Sequence, residues 1–400
     1  MTQRLLAMLA ALCVLFSLSI PGTAEDQDIV IPDITPGEFE IPDNEAMAFL
    51  RRMGIGWNLG NTFDAHSNYV GKDDLAIERS WVGVYTTEEM IRAVADAGFG
   101  FIRIPISWHN HVSGDFTINE PFLDRIQTVV DWALDAGLCV IINTHHDVGD
   151  KWYYPDRAHE ETSRRFVSAI WTQVAERFAD YDERLIFEDL NEPRLVGTAY
   201  EWSYNKVVPE CRESADVLNG LNQLFVDTVR AAGGGNADRY LMVPGYAASP
   251  DNAVGDWFTL PEDSADNRII ISAHAYSPYD FALNRNGTAA FDWQKPTDRQ
   301  AVMLPLKSLY DRWISRGVPV VIGEFGAVDK HNLQARVDWA ALYVSSAAQW
   351  NIPVCLWDNH AFNSGGENFG FLNRRTCEFE YPEMLMTMMR YSLKEYAAAE

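Results

Sequence analysis

Leu185-Ile186-Phe187-Glu188-Asp189-Leu190-Asn191-Glu192-Pro193 and Val320-Val321-Ile322-Gly323-Glu324-Phe325-Gly326 are two apolar runs that each end in a carboxylate. A short apolar run bounded by turn residues is the pattern of a strand buried on both faces. A glutamate at the carboxyl end of such a strand lies at the mouth of a barrel or sheet, where chemistry collects. Two such acids facing one pocket are the machinery that splits a glycosidic bond.

Outward from these runs, strand-like segments recur near Met53–Asn58, Gly100–Pro105, Leu138–Thr144, Tyr240–Pro244, Ile269–Ala273 and Ile352–Trp357. Stretches with helical apolar spacing separate them: Glu88–Ala97, Phe122–Ala136, Ser163–Ala179, Ala215–Ala231, Leu304–Arg316 and Leu333–Gln349. A weak helix is expected near Asp251–Leu260 and a last one over Met384–Ala398. Glycine stops (Gly98, Gly137, Gly233, Gly317) follow several of them. Eight strands alternating with helices predict an α/β fold, a (β/α)8 barrel over residues 45–400. A doubly wound sheet is the runner-up. Its phosphate loop would be Gly54-Ile55-Gly56-Trp57-Asn58-Leu59-Gly60, but Trp57 and Leu59 are too large for close phosphate approach.

The N-terminus reads as an export signal: Arg4, an apolar Leu5–Ile20, then small residues with cleavage expected after Ala24. At about 16 residues the apolar stretch is short for a membrane anchor, which needs roughly 20. Residues 25–44 are acidic and dotted with Pro32, Pro36 and Pro42, an extended arm ahead of the domain. The formal charge of −25 opposes nucleic acid and anionic membrane as partners. It suits a secreted monomer acting on a neutral substrate. Cys139 and Cys355 fall in core strands, and a Cys211–Cys377 disulfide is left open. No cysteine spacing suggests zinc.

The strand ends bring forward Asn58, Arg103, His145, His146, Asn191, Glu192, His274, Tyr276, Glu324 and Trp357. One carboxyl must hold a proton for the leaving oxygen while the other stays ionised. Arg103 beside Glu324 would favour that glutamate's charged form, and Tyr276 could donate to it. Thirteen tryptophans are present, and those at 57, 81, 108, 152, 202, 257, 293 and 357 fall at strand ends or in the following loops. A flat aromatic face covers the C–H surface of a sugar ring, so three or four of these are expected as platforms. A metal reading of His145-His146-Asp147 is weak, because adjacent strand residues face opposite sides unless the strand has ended. A serine triad lacks its G-x-S-x-G elbow. Side-chain alternation also turns Asp189 away from Glu188, leaving Glu188 as a buried supporting acid.

The ordered set Gly56-Trp57-Asn58-Leu59-Gly60-Asn61-Thr62-Phe63-Asp64, Arg103-Ile104-Pro105-Ile106-Ser107-Trp108, Asn143-Thr144-His145-His146, Leu190-Asn191-Glu192-Pro193-Arg194, His274-Ala275-Tyr276, Gly323-Glu324-Phe325-Gly326 and Trp357-Asp358-Asn359 resembles glycoside hydrolase family 5. The likeness is to the bacterial endo-β-1,4-glucanases of its subfamily 4. It implies a retaining cellulase without metal or other cofactor. Glu192 is then the acid/base and Glu324 the nucleophile, supported by Arg103, His145, Asn191, His274 and Tyr276. Asn58, Trp108, His146, Trp152, Trp202 and Trp357 are expected to bind the glucan. A carboxyl separation of about 5–5.5 Å would go with retention. Xyloglucan, mixed-linkage glucan or mannan are the alternative substrates, and an inactive glucan-binding barrel is the alternative class.

Overall fold

The computed structural model describes residues 28–67 and 74–392. The expected signal and the chain beyond Ser392 lie outside them. Eight parallel strands close into a barrel: β1 Ile55–Asn58, β2 Phe101–Ile104, β3 Cys139–Asn143, β4 Leu185–Glu188, β5 Leu241–Pro244, β6 Ile269–His274, β7 Val320–Phe325 and β8 Val354–Leu356. Closure by β1 pairing with β8 rules out the open doubly wound sheet. Nearly every strand residue is buried, because side chains fill the interior while helices cover the outside.

Ten helices are described: α1 Glu45–Met53, α2 Glu88–Asp96, α3 Glu120–Asp135, α4 Glu160–Arg177, α5 Pro209–Ala231, α6 Pro250–Ala253, α7 Tyr279–Ala282, α8 Pro296–Arg312, α9 Leu333–Gln349 and α10 Pro382–Tyr391. The weak helix expected near Asp251–Leu260 is only the single turn α6. Sequence spacing alone missed α1. Its Asn44 cap bonds the Met47 amide (2.8 Å) and the Gly317 carbonyl (3.0 Å). Its Phe49 stacks on Tyr240. Arg268 reaches Glu45, and Arg52 reaches Glu183. Residues 183, 240, 268 and 317 all precede strands, so α1 plugs the amino-terminal end of the barrel.

Residues 28–43 carry no helix or strand and lie along the outside of α8, α9 and α10. Gln334 bonds Val30 in both directions, Gln349 accepts from Gly37, and Tyr391 donates to the Pro32 carbonyl. Cys211 and Cys377 are both free, so the disulfide left open above is not formed.

One irregularity positions the chemistry. Between β6 and β7 the register runs Ala273 to Ile322 and then His274 to Glu324, leaving Gly323 as an extra residue. Such a bulge re-aims the side chain that follows it. A Cβ on Gly323 would meet His274 Nε2 at 3.0 Å, so glycine lets the two strands approach there.

Candidate active site

Arg103 is the hub. It is fully buried at the end of β2 and spends its guanidinium on four side chains. Nε donates to Glu188 Oε2 (2.6 Å), Nη1 to Glu324 Oε1 (2.9 Å) and Asn58 Oδ1 (3.0 Å), and Nη2 to Asn191 Oδ1 (2.7 Å). Charge-assisted bonds of this kind are the strong ones, and they hold four strand ends in one arrangement. Burial opposes the Arg103 charge, but Glu188 and Glu324 outweigh it and raise the pKa further above its ordinary value. Ser272 completes the inner layer by donating to Glu188 Oε1 (2.7 Å).

Glu324 and Glu192 meet above this layer. Tyr276 donates its hydroxyl to Glu324 Oε2 (2.9 Å). His274 Nδ1 lies 2.9 Å from Glu192 Oε1 and 3.7 Å from Glu324 Oε1. An oxygen of Glu192, an imidazole nitrogen of His274 and an oxygen of Glu324 all lie within 4.8 Å of one another. Nearest oxygens this close fit the roughly 5–5.5 Å carboxyl spacing of a retaining pair.

The electrostatics differ from the simple expectation of an acid with a raised pKa. Burial pushes the Glu192 carboxyl up, but the His274 bond and charge, then Arg194, outweigh it and leave it below its ordinary value. Burial pushes His274 down, yet Glu324 and Glu192 raise it overall. The two shifts together favour a charged His274 imidazole beside a Glu192 carboxylate. The Tyr276 hydroxyl is held protonated, its pKa raised by burial and by Glu324.

His145, Asn191, His274 and Tyr276 all lie at this site. Two proposed glucan contacts do not. Trp108 is fully buried, donates to the Asn143 carbonyl (3.0 Å) and packs edge-on against Phe122, so it has no face to offer a sugar. Asn58 is also sealed, donating to the Gly323 carbonyl (2.9 Å) and accepting from Arg103. Both support the site from below.

Six of the eight loop tryptophans keep open surface, Trp81, Trp152, Trp202, Trp257, Trp293 and Trp357, although Trp257 already stacks on Tyr204. Trp357 lies parallel to His145, planes within 4° and centroids 5.9 Å apart. Trp81 sits against His66 and His146 on the β1 and β3 side. Trp152 packs against His109 and Phe166. Trp202 lines a cavity of about 630 Å³ with Tyr279, Leu283, Asn284, Arg285 and Glu367. Those last five were missed, because Tyr279 opens the single turn α7 and the others follow it or lie in the loop after β8, where no periodicity marks them.

Asp64, His145 and His146 also present ligand atoms within 4.8 Å of one another. The expectation that His145 and His146 diverge fails because β3 ends at Asn143, and their rings lie 4.4 Å apart. The trio could hold a cation geometrically. The Asp64 oxygens already accept from the Asn61 and Thr62 amides.

Comparison with known proteins agrees with this geometry. Residues 63–363 match the family model described as cellulase (glycosyl hydrolase family 5). Endoglucanase 1 of Ruminococcus albus is 42% identical over 358 residues, 89% of this chain and 83% of its own length. A solved GH5 family lichenase from Caldicellulosiruptor sp. F32 superposes with a TM-score of 0.90 at 50% identity, covering 90% of this chain and 99% of its own. A GH5-4 broad specificity endoglucanase from Ruminococcus champanellensis, solved with bound cellotriose, gives 0.81 at 42% identity, covering 88% and 100%.

Proposed function

The chain belongs to glycosyl hydrolase family 5, and from that membership we propose that it is an endo-β-1,4-glucanase that cuts with retention through Glu192 and Glu324. The observation that supports the retaining mechanism is the close approach of the two acids, an oxygen of each within 4.8 Å of the other. Glu324, held by Arg103 and Tyr276, attacks the anomeric carbon. The glycosidic C–O bond breaks, its electron pair goes to the leaving oxygen, and Glu192 supplies that oxygen's proton. Water then attacks the glycosyl ester, Glu192 takes its proton, and Glu324 is released as carboxylate. Before the first step His274 holds the shared proton. A sugar that expels water disfavours the separated charges and returns the proton to Glu192.

The substrate is a β-glucan, lying along the aromatic surfaces of Trp357, Trp152 and Trp202 with His145, Asn191 and His146 at its hydroxyls. The likeness to a lichenase at 50% identity supports mixed-linkage glucan as a second substrate beside cellulose. No helix among the described residues is long and apolar enough to cross a membrane. The enzyme acts outside the cell as a monomer after cleavage behind Ala24.

Proton NMR of cellohexaose hydrolysis tests the mechanism, with the β-anomer expected first. Glu324→Ala should lose activity on the order of 10⁴-fold while retaining glucan binding. An α-anomer formed first, or normal turnover by the variant, overturns the assignment.

A further inference from the structure

Arg194 follows the Asn191-Glu192-Pro193 corner and touches two things at once. Its guanidinium lies 3.9 Å over the Trp202 ring. Its Nη1 donates to the Glu192 carbonyl (2.9 Å) and stands 4.0 Å from Glu192 Oε2. Glu201 holds its Nε (3.3 Å) and also accepts from the Gly197 amide (3.0 Å), which fixes the guanidinium plane. Trp202 is 61% exposed, and Tyr279, 63% exposed, lines the same 630 Å³ cavity. Arg194 braces this exposed indole through a close cation–π contact.

The cavity lies among the loops after β4, β6 and β8, on the side of the catalytic acid's own strand. The acid must reach the oxygen that joins the two halves of the cut chain, so the leaving sugar sits beside it. We propose that this cavity takes the leaving half of the glucan, and that Arg194 is a positioning residue which ties a sugar on Trp202 to the placement of Glu192. The proposal rests on the role given to Glu192 above. A sugar stacked on Trp202 clamps the indole on its outer face. The indole then holds Arg194, and Arg194 holds the main chain and carboxyl of Glu192 near the bond to be broken. Chains with a sugar in the cavity are thereby protonated better than those without.

The charged groups around Glu192 come from several elements. His274 faces it from β6, Glu324 from β7, His146 from the loop after β3 and Glu367 from the loop after β8, with Arg194 on its own loop. Arg194 is among the groups that lower the Glu192 pKa. Its removal raises that pKa, so the alkaline limb of the rate profile moves to higher pH. A merely structural role would not move it.

The test compares Arg194→Lys and Arg194→Met on cellopentaose and on 2,4-dinitrophenyl β-cellobioside. The latter has no leaving sugar and needs no protonation to depart. Arg194→Met should lose roughly tenfold in kcat/KM on cellopentaose, shift its alkaline limb upward, and stay within about twofold in kcat/KM on the aryl substrate, which reports the first step alone. Arg194→Lys should keep the wild-type limb, since the charge remains, while KM for cellopentaose rises. Trp202→Ala combined with Arg194→Met should be no worse in kcat than Arg194→Met alone, while KM rises with the lost platform. Equal losses on both substrates, an unmoved limb, or additive losses of kcat in the double variant overturn the proposal. Glu192→Gln separates the two readings. If it still cleaves cellopentaose normally, the acid assignment fails. If its kcat/KM collapses on cellopentaose but not on the aryl substrate and Arg194→Met behaves as wild type, only the relay fails.

Discussion

Glu188 and Asp189 are neighbours with opposite duties. Both are fully buried. Glu188 points into the barrel, where Arg103 and Ser272 satisfy it. Asp189 points outward, accepts from Trp171 Nε1 (3.2 Å) on one oxygen, and has no hydrogen-bond partner for the other. Burial pushes its pKa well above the ordinary 3.8, so it stays a neutral acid where Glu188 is an ion partner. Glu188→Gln strands a buried guanidinium with one carboxylate fewer and should cost about 3–5 kcal/mol. Asp189→Asn keeps the neutral shape and should cost about 1 kcal/mol or less. The pH dependence has a sign as well. The unfolded chain releases the Asp189 proton above about 3.8 while the native state keeps it, so wild-type stability falls as pH rises from there. Asp189→Asn lacks that slope. Denaturant titrations at pH 4 and pH 8 check both statements, and equal costs for the two variants would contradict them. Alternation along one strand was enough to say that these acids diverge. Strand position says which end of the barrel a residue occupies, not which way it turns. That is why Glu192, Glu324 and Arg103 were legible, while Trp108 and Asn58 were misread as glucan contacts.

At the scale of elements, the strands were legible because a strand covered on both faces must be apolar throughout. The helix α1 was hidden by its neighbours. Ala46, Met47, Phe49, Leu50 and Met53 are its buried residues and do follow helical spacing behind an Asn44 cap. However, they lie between a proline-dotted arm and a strand, and Met53 extends the apolar run of β1. The first turns of α8 were lost for the opposite reason: Thr297, Asp298, Arg299 and Gln300 give no apolar face. Because Asn44 both caps α1 and anchors it to the Gly317 carbonyl, Asn44→Ala should cost about 1–2 kcal/mol. The loss is at the amino-terminal end of the barrel, away from Glu192 and Glu324, so kcat should be unchanged. Thermal melting alongside initial rates checks this, and a fall in kcat without a fall in stability would refute it.

The whole molecule carries 57 acidic against 32 basic side chains. Its field repels polyanions and leaves a neutral glucan alone. The working cleft adds to that field locally, since Glu192, Glu324 and Glu367 lie close enough to act on one another. Loop shape, which decides how long a glucan fits, is set by contacts far apart in sequence, and so the substrate range was the least legible property of the chain. Charge, in contrast, is read directly from composition and gives a prediction that needs no loop detail. Carboxymethyl cellulose should bind poorly at low ionic strength and better as salt screens the repulsion, the Debye length shrinking from about 30 Å at 0.01 M to about 8 Å at 0.15 M. Lichenan and cellohexaose are uncharged and should show a flat kcat/KM over the same range. Parallel salt titrations on the three substrates check this. A kcat/KM on carboxymethyl cellulose that ignores salt would mean that the acidic surface does not reach the cleft. A fall on all three substrates together would instead mean that salt acts on the protein's own ion pairs, with the Arg103 hub as the first place to look.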